Sequence, residues 1–292
     1  MTRPYAEVIG DPIAHSKSPL IHNFWLSKLG IDAEYRACHV RPDELEDYFT
    51  RRRGDAEWRG CNVTMPHKRE ALNAVDEVGQ FVDDATNTIV ASAGKLIAQN
   101  TDIAGILEPL NKIIDEQGIS DDPFHPEVLR AQIIGAGGAA SSAIDAMYVA
   151  NFITMDIFSR SIESARQAAA AKMQSRKSAF GLDCLRPWPS GITDPFYGRT
   201  TRFLIINASP MGMVGKPDIP IHLSEYPKGT IVFDMVYAPV ETQLLKAARE
   251  HGFNCIDGLQ MLVGQASAAF ALLFGQPAPR EHDAELRALL TA

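Results

Sequence analysis

The chain has few cysteines, no long apolar run and no excess of positive charge. Its four cysteines show no C-x-x-C spacing, so we expect reduced thiols and predict neither a disulfide framework nor a metal site. No apolar run reaches the length of a membrane span, and the first residues lead into a predicted strand without a signal peptide. The net charge of −8 argues against nucleic acid or an anionic membrane as the main partner. We therefore expect a cytoplasmic protein, monomer or homodimer, with a small-molecule partner.

The middle of the chain contains a predicted strand, a glycine turn and a helix, LRAQIIGAGGAASSAIDAMYVA (Leu129–Ala150). The turn fits the spacing G-x-G-x-x-G/A, with Ala140 as the third small residue. Residues without a Cβ let backbone N–H groups approach a ligand, and the helix N-terminus adds its own free N–H groups. This pattern predicts a pyrophosphate site; the alternative is a tight turn that binds nothing. The loop consists of Gly135, Ala136, Gly137, Gly138 and Ala139.

The segment Ser159-Arg160-Ser161 follows the next predicted strand. In an NAD site an acidic residue there would bind the ribose 2′-hydroxyl, whereas a guanidinium flanked by hydroxyls suits a 2′-phosphate. The alternative is that Ser161 caps the next helix and Arg160 is exposed. We predict NADP as the cofactor, with NAD as the less favoured alternative.

Two hydroxyl residues, Ser16 and Ser18, stand at a predicted helix start near the N-terminus. Ser18 before Pro19 is typical of an N-cap. Capping requires only one serine, so the pair is also suited to hold a carboxylate or phosphate. The alternative is a plain capped turn.

Lys68 is predicted in the first turn of a helix that Pro66 begins and that runs to about Val75. A cation is disfavoured there, which indicates a use in proton transfer; the alternative is an exposed lysine. Asp102 is either an N-cap or the partner of Lys68. Asn87 is either a turn residue or a group that binds a hydroxyl.

Several segments together resemble the shikimate dehydrogenase family. They follow the family's order over nearly the whole chain: GDPIAHSKSPLIHN (Gly10–Asn23), NVTMPHK (Asn62–Lys68), ATNTI (Ala85–Ile89), NTD (Asn100–Asp102), GAGGAA (Gly135–Ala140), NASPMGM (Asn207–Met213), DMVY (Asp234–Tyr237) and DGLQMLVGQA (Asp257–Ala266).

The resemblance implies shikimate and 3-dehydroshikimate as substrates. It implies that Ser16 and Ser18 hold the carboxylate and that Lys68 and Asp102 are the catalytic pair. Contacts to ring hydroxyls or the reacting centre would come from Thr64, Asn87, Asp102, Tyr237 and Gln265. The cofactor site would add Met235, Gly258 and Met261 to the glycine loop and to Ser159, Arg160 and Ser161.

The chain departs from the usual family pattern at four positions. Asp84 and Thr86 stand where glycine and valine are common, His67 where phenylalanine is frequent, and Gln260 where glycine is common. These changes bear on substrate preference and rate more than on reaction class.

The expected fold is α/β with two domains. Residues 1–106 are predicted to form an α/β substrate domain, on which helices in 259–292 pack, and residues 107–258 a Rossmann-type domain with a doubly wound parallel sheet. The favoured activity is NADP-dependent shikimate dehydrogenase. The alternatives are an NAD-dependent quinate/shikimate dehydrogenase, a paralogue acting on a related ring acid, and a non-catalytic nucleotide-binding regulator.

Overall fold

The computed structural model describes residues 3–116, 128–152, 154–170, 176–185 and 201–292. The chain divides into two compact units. The first consists of residues 1–105 and 263–292, and the second of residues 106–262. Both divisions fall inside helices.

The first unit contains a mixed six-stranded sheet. Its strands are β1 (Tyr5–Gly10), β2 (Glu34–His39), β3 (Trp58–Val63), β4 (Glu77–Val78), β5 (Thr88–Ser92) and β6 (Lys95–Gln99). The order is β2-β1-β3-β5-β6-β4. Strands β1, β2 and β3 are parallel, whereas β5 is antiparallel to both β3 and β6. The end of β3, the start of β5 and the end of β6 therefore meet at one edge of the sheet.

Several helices belong wholly or partly to the first unit. They are α1 (Ser18–Leu29), α2 (Leu45–Arg53), most of the first turn of α3 (Asp102–Glu116), the larger part of α7 (Gly258–Phe274) and α8 (Asp283–Thr291). Gly30 ends α1 in a left-handed conformation, as glycine permits. Every residue of β1 is buried, which is typical of a central strand covered on both faces.

The second unit contains a parallel six-stranded sheet. Its strands are β7 (Val128–Ile134), β8 (Thr154–Ser159), β9 (Arg176–Gly181), β10 (Thr201–Asn207), β11 (Ile231–Asp234) and β12 (Asn254–Ile256), and its complete helices are α4 (Gly138–Val149), α5 (Ile162–Ala170) and α6 (Gln243–Glu250). The order β12-β11-β10-β7-β8-β9 is the 3-2-1-4-5-6 order of dinucleotide-binding domains. The predicted fold class, α/β with a Rossmann-type parallel sheet, is confirmed.

Candidate active site

The loop after β3 carries Lys68 but does not begin a helix. The predicted helix from Pro66 is wrong: residues 65–69 form turns, and a short 3₁₀ helix follows at Glu70–Ala74. The Lys68 carbonyl accepts a hydrogen bond from the Thr86 amide at 2.8 Å, a contact to a distant segment and not to a helical partner four residues later. The argument from a helix N-terminus therefore does not apply to Lys68.

Lys68 and Asp102 form a close ion pair at this edge of the sheet. Lys68 Nζ lies 2.6 Å from Asp102 Oδ2, and the two side chains are 23% and 11% exposed. The carboxylate makes no cap to α3; Asn100 Oδ1 instead accepts the Asp102 amide hydrogen at 3.3 Å. A partly buried ammonium beside a carboxylate is a group that can move a proton while its charge stays balanced.

Asn87 is buried beside this pair. Its Nδ2 donates to Asp102 Oδ1 at 2.8 Å and to Thr101 Oγ1 at 2.9 Å. Its Oδ1 accepts from the Thr101 amide at 2.7 Å. Gln265 of α7 approaches to 3.5 Å from Asn87 Nδ2. Four of the predicted site residues therefore lie together: Lys68, Asn87, Asp102 and Gln265.

Ser16 lies in the loop after β1, and Ser18 is the first residue of α1. The prediction that Ser18 caps α1 is wrong, because Lys17 is the N-cap and its carbonyl accepts from the Ile21 amide. Ser16 Oγ accepts from the Ser18 amide at 3.3 Å, and Ser18 is largely buried. The two serines therefore lie together at the start of α1, and their role in holding a carboxylate stays a prediction.

The loops after β1 and β3 are neighbours because the two strands are parallel. The Asp11 amide donates to the Met65 carbonyl at 3.1 Å, and the Thr64 amide donates to the Ile9 carbonyl at 3.0 Å. The half-buried Thr64 therefore lies next to the end of β1, where the segment that contains Ser16 and Ser18 begins.

In the second unit, the glycine turn follows β7. Gly135 has φ of +130°, and a Cβ there would lie 2.6 Å from the Ala208 carbonyl oxygen, so no side chain fits. Helix α4 begins at Gly138 with Gly137 as its N-cap and no side-chain cap. No side-chain cap therefore covers the start of α4, an arrangement that resembles the pyrophosphate sites at helix N-termini.

Ser159 ends β8, and Arg160 follows as an exposed residue. Ser161 Oγ accepts from the Ser164 amide at 3.3 Å, so this serine caps α5 as the alternative interpretation proposed. Among the described residues, the Arg160 guanidinium has no ion-pair partner. The acidic Glu163 instead pairs with Arg166 at 3.8 Å, so its charge is partly compensated.

Tyr237 lies after β11, on a loop held by a buried carboxylate. Asp234 accepts from Thr242 Oγ1 at 2.6 Å, from Asn207 Nδ2 at 2.8 Å and from the Val236 amide at 3.0 Å. Burial raises the pKa of Asp234 above its usual value, and burial also raises the pKa of the half-buried Tyr237. The phenol therefore remains a hydrogen-bond donor at neutral pH.

Met235 and Gly258 are in contact in the second unit. A Cβ at Gly258 would lie 2.5 Å from the carbonyl oxygens of Met235 and Val236, so only glycine fits at this start of α7. Met235 and Met261 are half-buried. Because all strands are parallel, these residues and the glycine loop lie beyond the same edge of the sheet.

Known proteins resemble this chain in sequence and in fold. The chain matches the model of the shikimate dehydrogenase substrate binding domain over residues 8–89. A shikimate dehydrogenase (NADP(+)) of Sphingopyxis alaskensis is 44% identical over 292 residues, which cover 99% of this chain and 97% of that protein. The chain belongs to the shikimate dehydrogenase family. The resemblance predicted from the sequence is confirmed.

Solved structures share the whole fold. Shikimate 5-dehydrogenase of Thermus thermophilus, in complex with NADP(H) and shikimate, has a TM-score of 0.78 and 27% identity over 98% of this chain and 99% of that one. A ligand-free 5-ketofructose reductase of Gluconobacter sp. strain CHM43 has a TM-score of 0.80 and 25% identity over 99% of each chain.

All four departures from the usual shikimate dehydrogenase pattern have partners in the described structure. The buried His67 ring donates through Nε2 to the Val40 carbonyl at 2.6 Å. Thr86 Oγ1 donates to the Gln99 carbonyl at 2.7 Å, and Gln260 Nε2 lies 3.4 Å from Asp257 Oδ2. Asp84 pairs with Arg69 at 3.0 Å on the surface. Each polar substitution thus has a protein partner, and the partners of His67, Thr86 and Asp84 lie 27, 13 and 15 positions away in the chain.

Sequence reasoning missed three residues around the site. Asn62, Thr88 and Asp234 stand in quoted segments but received no role. The available signal was polarity inside strands that are otherwise apolar, since buried polar side chains require partners. Within the described residues, no group of three His, Cys, Asp or Glu side chains suits a metal. In the same portion, no helix has the length and apolarity of a membrane span.

Proposed function

We propose that this protein catalyses the reversible, NADP-dependent reduction of 3-dehydroshikimate to shikimate. The observation that carries the proposal is the 2.6 Å pair of Lys68 and Asp102, in a chain with 44% identity to an NADP-dependent shikimate dehydrogenase. A non-catalytic regulator would have no use for a partly buried ion pair, which costs desolvation energy.

Lys68 acts as the general acid and base. A ketone that accepts a hydride becomes an alkoxide and needs a proton, which the ammonium gives; the neutral amine takes it back when shikimate is oxidised. Asp102 holds the ammonium in place and balances its charge. Bound NADP carries the hydride, and the protein contributes position and the proton.

The remaining predicted residues bind and orient the ring. Ser16 and Ser18 receive the carboxylate, and their closeness at the start of α1, with Ser16 Oγ 3.3 Å from the Ser18 amide, supports this role. Thr64, Tyr237 and Gln265, together with Asn87, contact hydroxyls or the reacting centre. The resemblance to the family favours shikimate over quinate, because its quinate users often carry threonine where this chain has Ser18.

Backbone N–H groups hold the pyrophosphate of the cofactor, and a guanidinium holds its 2′-phosphate. The uncapped N-terminus of α4 receives the pyrophosphate, next to Gly135, Ala136, Gly137, Gly138 and Ala139. Arg160, which has no ion-pair partner in the described chain, binds the 2′-phosphate, while Ser159 and Ser161 stand on either side of it. Met235, Gly258 and Met261 complete the site near the nicotinamide.

We further propose that the protein works in the cytoplasm, as a monomer or a homodimer. Its cysteines, Cys38, Cys61, Cys184 and Cys255, are free thiols, which suits a reducing compartment. Sedimentation at several concentrations would distinguish the two assembly states.

The direct test measures reduced nicotinamide during oxidation of shikimate, with NADP and NAD in parallel, and with quinate and a ketofructose in the matching direction. We expect turnover with shikimate and NADP at the highest kcat/KM. Turnover with NAD alone would contradict the assignment of Arg160. Nucleotide binding without turnover on any substrate would contradict the enzymatic function.

A further inference from the structure

A line of buried hydrogen bonds runs from the core of the first unit to the Asp102 carboxylate. Tyr35 Oη donates to Asn62 Oδ1 at 2.6 Å, and Asn62 Nδ2 donates to Thr88 Oγ1 at 2.9 Å. The Thr88 hydroxyl donates to Asn87 Oδ1 at 3.1 Å, and Asn87 Nδ2 donates to Asp102 Oδ1 at 2.8 Å. In each of these bonds the donor lies on the Tyr35 side and the acceptor on the Asp102 side. The last bond reaches Asp102 Oδ1, whereas Lys68 bonds Oδ2.

The direction of these bonds is fixed at both ends. An ionised carboxylate only accepts hydrogen bonds. At the far end, burial raises the pKa of Tyr35 well above its usual value, so its O–H stays a donor. The Thr101 amide, which only donates, bonds Asn87 Oδ1 at 2.7 Å and opposes rotation of that amide group. A reversed Asn87 would present oxygen to the carboxylate and nitrogen to two donors.

The strand pairing explains why these side chains meet. Asn62 on β3 stands opposite Thr88 on β5 in the antiparallel register, and Thr88 stands opposite Gln99 on β6. Thr88 is fully buried and Asn62 is 6% exposed, so water does not replace a missing bond at low cost. The two residues occupy sheet positions that an apolar side chain would ordinarily fill.

We propose that Asn62 and Thr88 are positioning residues, which fix the Asn87 amide so that it gives Asp102 a permanent hydrogen-bond donor. This donor holds the carboxylate in place and keeps its second oxygen turned to Lys68. Both N–H groups of Asn87 already have protein partners, so any contact it makes to substrate is additional to this role. The proposal rests on the proposed function, since it concerns the proton-transferring pair.

The test compares Thr88→Val with Thr88→Ser, because valine keeps the shape and loses the hydroxyl whereas serine keeps the hydroxyl. We expect the valine variant to lower kcat about tenfold, the size expected for a lost hydrogen bond to a charged network, with the KM for NADP unchanged within about twofold. The serine variant should stay within about twofold of the wild type. Tyr35→Phe, at the far end of the line, should lose less than Thr88→Val.

The matched control is Thr230→Val in the second unit. Thr230 is equally buried and donates to the Pro227 carbonyl at 2.7 Å, so the same change removes a buried hydrogen bond away from Asp102. It should lower the thermal midpoint without lowering kcat. A drop in kcat equal to that of Thr88→Val would assign the effect to general loss of stability and overturn the proposal.

A second measurement does not depend on turnover. Competitive acetylation followed by mass spectrometry gives the reactivity of Lys68 relative to the exposed lysines. We expect Lys68 to react several-fold faster in Thr88→Val than in the wild type, because a less firmly held carboxylate retains its ammonium less well. Unchanged reactivity and unchanged kcat would overturn the proposal. A wild type without activity on shikimate would refute the proposed function alone, since the acetylation rates would still decide this inference.

Discussion

The two candidate sites are built in opposite ways. In the first unit, Lys68, Asn87 and Asp102 are bonded to one another and to the sheet behind them before any substrate arrives. In the second unit, the glycine turn offers bare backbone, an uncapped α4 and an exposed Arg160. The side chains of the first site are hydrogen-bonded to one another, whereas the helix start in the second site has no side-chain cap.

The difference follows from what each site must do. Proton transfer requires a donor held within a fraction of an ångström, so its side chains are secured by hydrogen bonds within the protein. A nucleotide brings its own charges, so its site is best left with unpaired donors and little side chain in the way. The comparison predicts that variants of the first site change rate, whereas variants of the second site change affinity.

The largest expected effect is that of Lys68→Ala. We expect kcat to fall by about 10³ or more because the proton donor is lost, while NADP affinity measured by fluorescence titration stays unchanged. Lys68→Arg is the matched variant, since arginine keeps the ion pair but does not release a proton in the accessible range. Near-normal turnover in the arginine variant would mean that charge, not proton transfer, is what this position supplies.

The second prediction concerns alanine substitutions in the glycine turn of the proposed nucleotide site. Gly135→Ala should lower the free energy of unfolding by about 2–3 kcal/mol and abolish NADP binding, because φ of +130° and the Ala208 carbonyl exclude a side chain. Gly137→Ala is the control for stability: its backbone is ordinary, and a Cβ there meets no atom within 4 Å. It should weaken NADP binding without lowering the thermal midpoint. If both variants were equally destabilised, the loss of NADP binding would be assigned to loss of folding and not to loss of contacts with the ligand.

The third prediction concerns cofactor choice. Arg160→Gln should raise the KM for NADP about 10- to 100-fold, the range of a lost charge-assisted hydrogen bond, and leave the KM for NAD unchanged. Arg166→Gln, one turn into α5, removes the same charge from a residue paired with Glu163. If both variants weaken NADP binding equally, general positive charge rather than a specific contact selects the cofactor.

The smallest expected effect lies in the core of the first unit, at a buried histidine whose ring nitrogens have no hydrogen-bond partner among the described residues. His22 is fully buried and stacks on Tyr35 with ring centroids 4.0 Å apart, and burial lowers its pKa to about 3 from an ordinary 6.5. The unfolded chain therefore binds a proton that the folded chain does not, and stability falls as the pH drops below about 6.5. This residue should contribute about 1 kcal/mol of loss at pH 5.5.

Replacement His22→Phe keeps the stack and removes the titration. Urea unfolding at pH 7.5 and at pH 5.5 should show a smaller loss of stability in the variant than in the wild type. Equal losses in both proteins would assign the acid sensitivity to other groups.

Local patterns allowed much of the fold to be predicted. Some features depend only on residues close together in the chain and can therefore be predicted from a short segment. They are the glycine turn, the left-handed Gly30 after α1 and the hairpin between β5 and β6. The parallel sheet of the second unit likewise follows from alternating strands and helices, whereas the order of its strands was not predicted.

The failures come from distant contacts. Turns stand where a helix was predicted at Pro66, and the Lys68 carbonyl in them bonds the Thr86 amide, 18 residues away. The roles of Asn62 and Thr88 depend on the register of β3 against β5, which a single sequence does not specify. The sequence allowed candidate site residues to be named, but the hydrogen bonds that hold Lys68, Asn87 and Asp102 were not predicted.

Lys17, between the two serines, donates to the carbonyl of Leu290 at 2.9 Å, a residue 273 positions later in the chain. During synthesis on the ribosome, the loop that is proposed to receive the carboxylate is therefore made early and is left without this partner until almost the whole of α8 has emerged. The second unit is translated in between and can fold first. Completion of the first unit is thus a late event in the life of each molecule, and a nascent chain released before α8 would lack this contact.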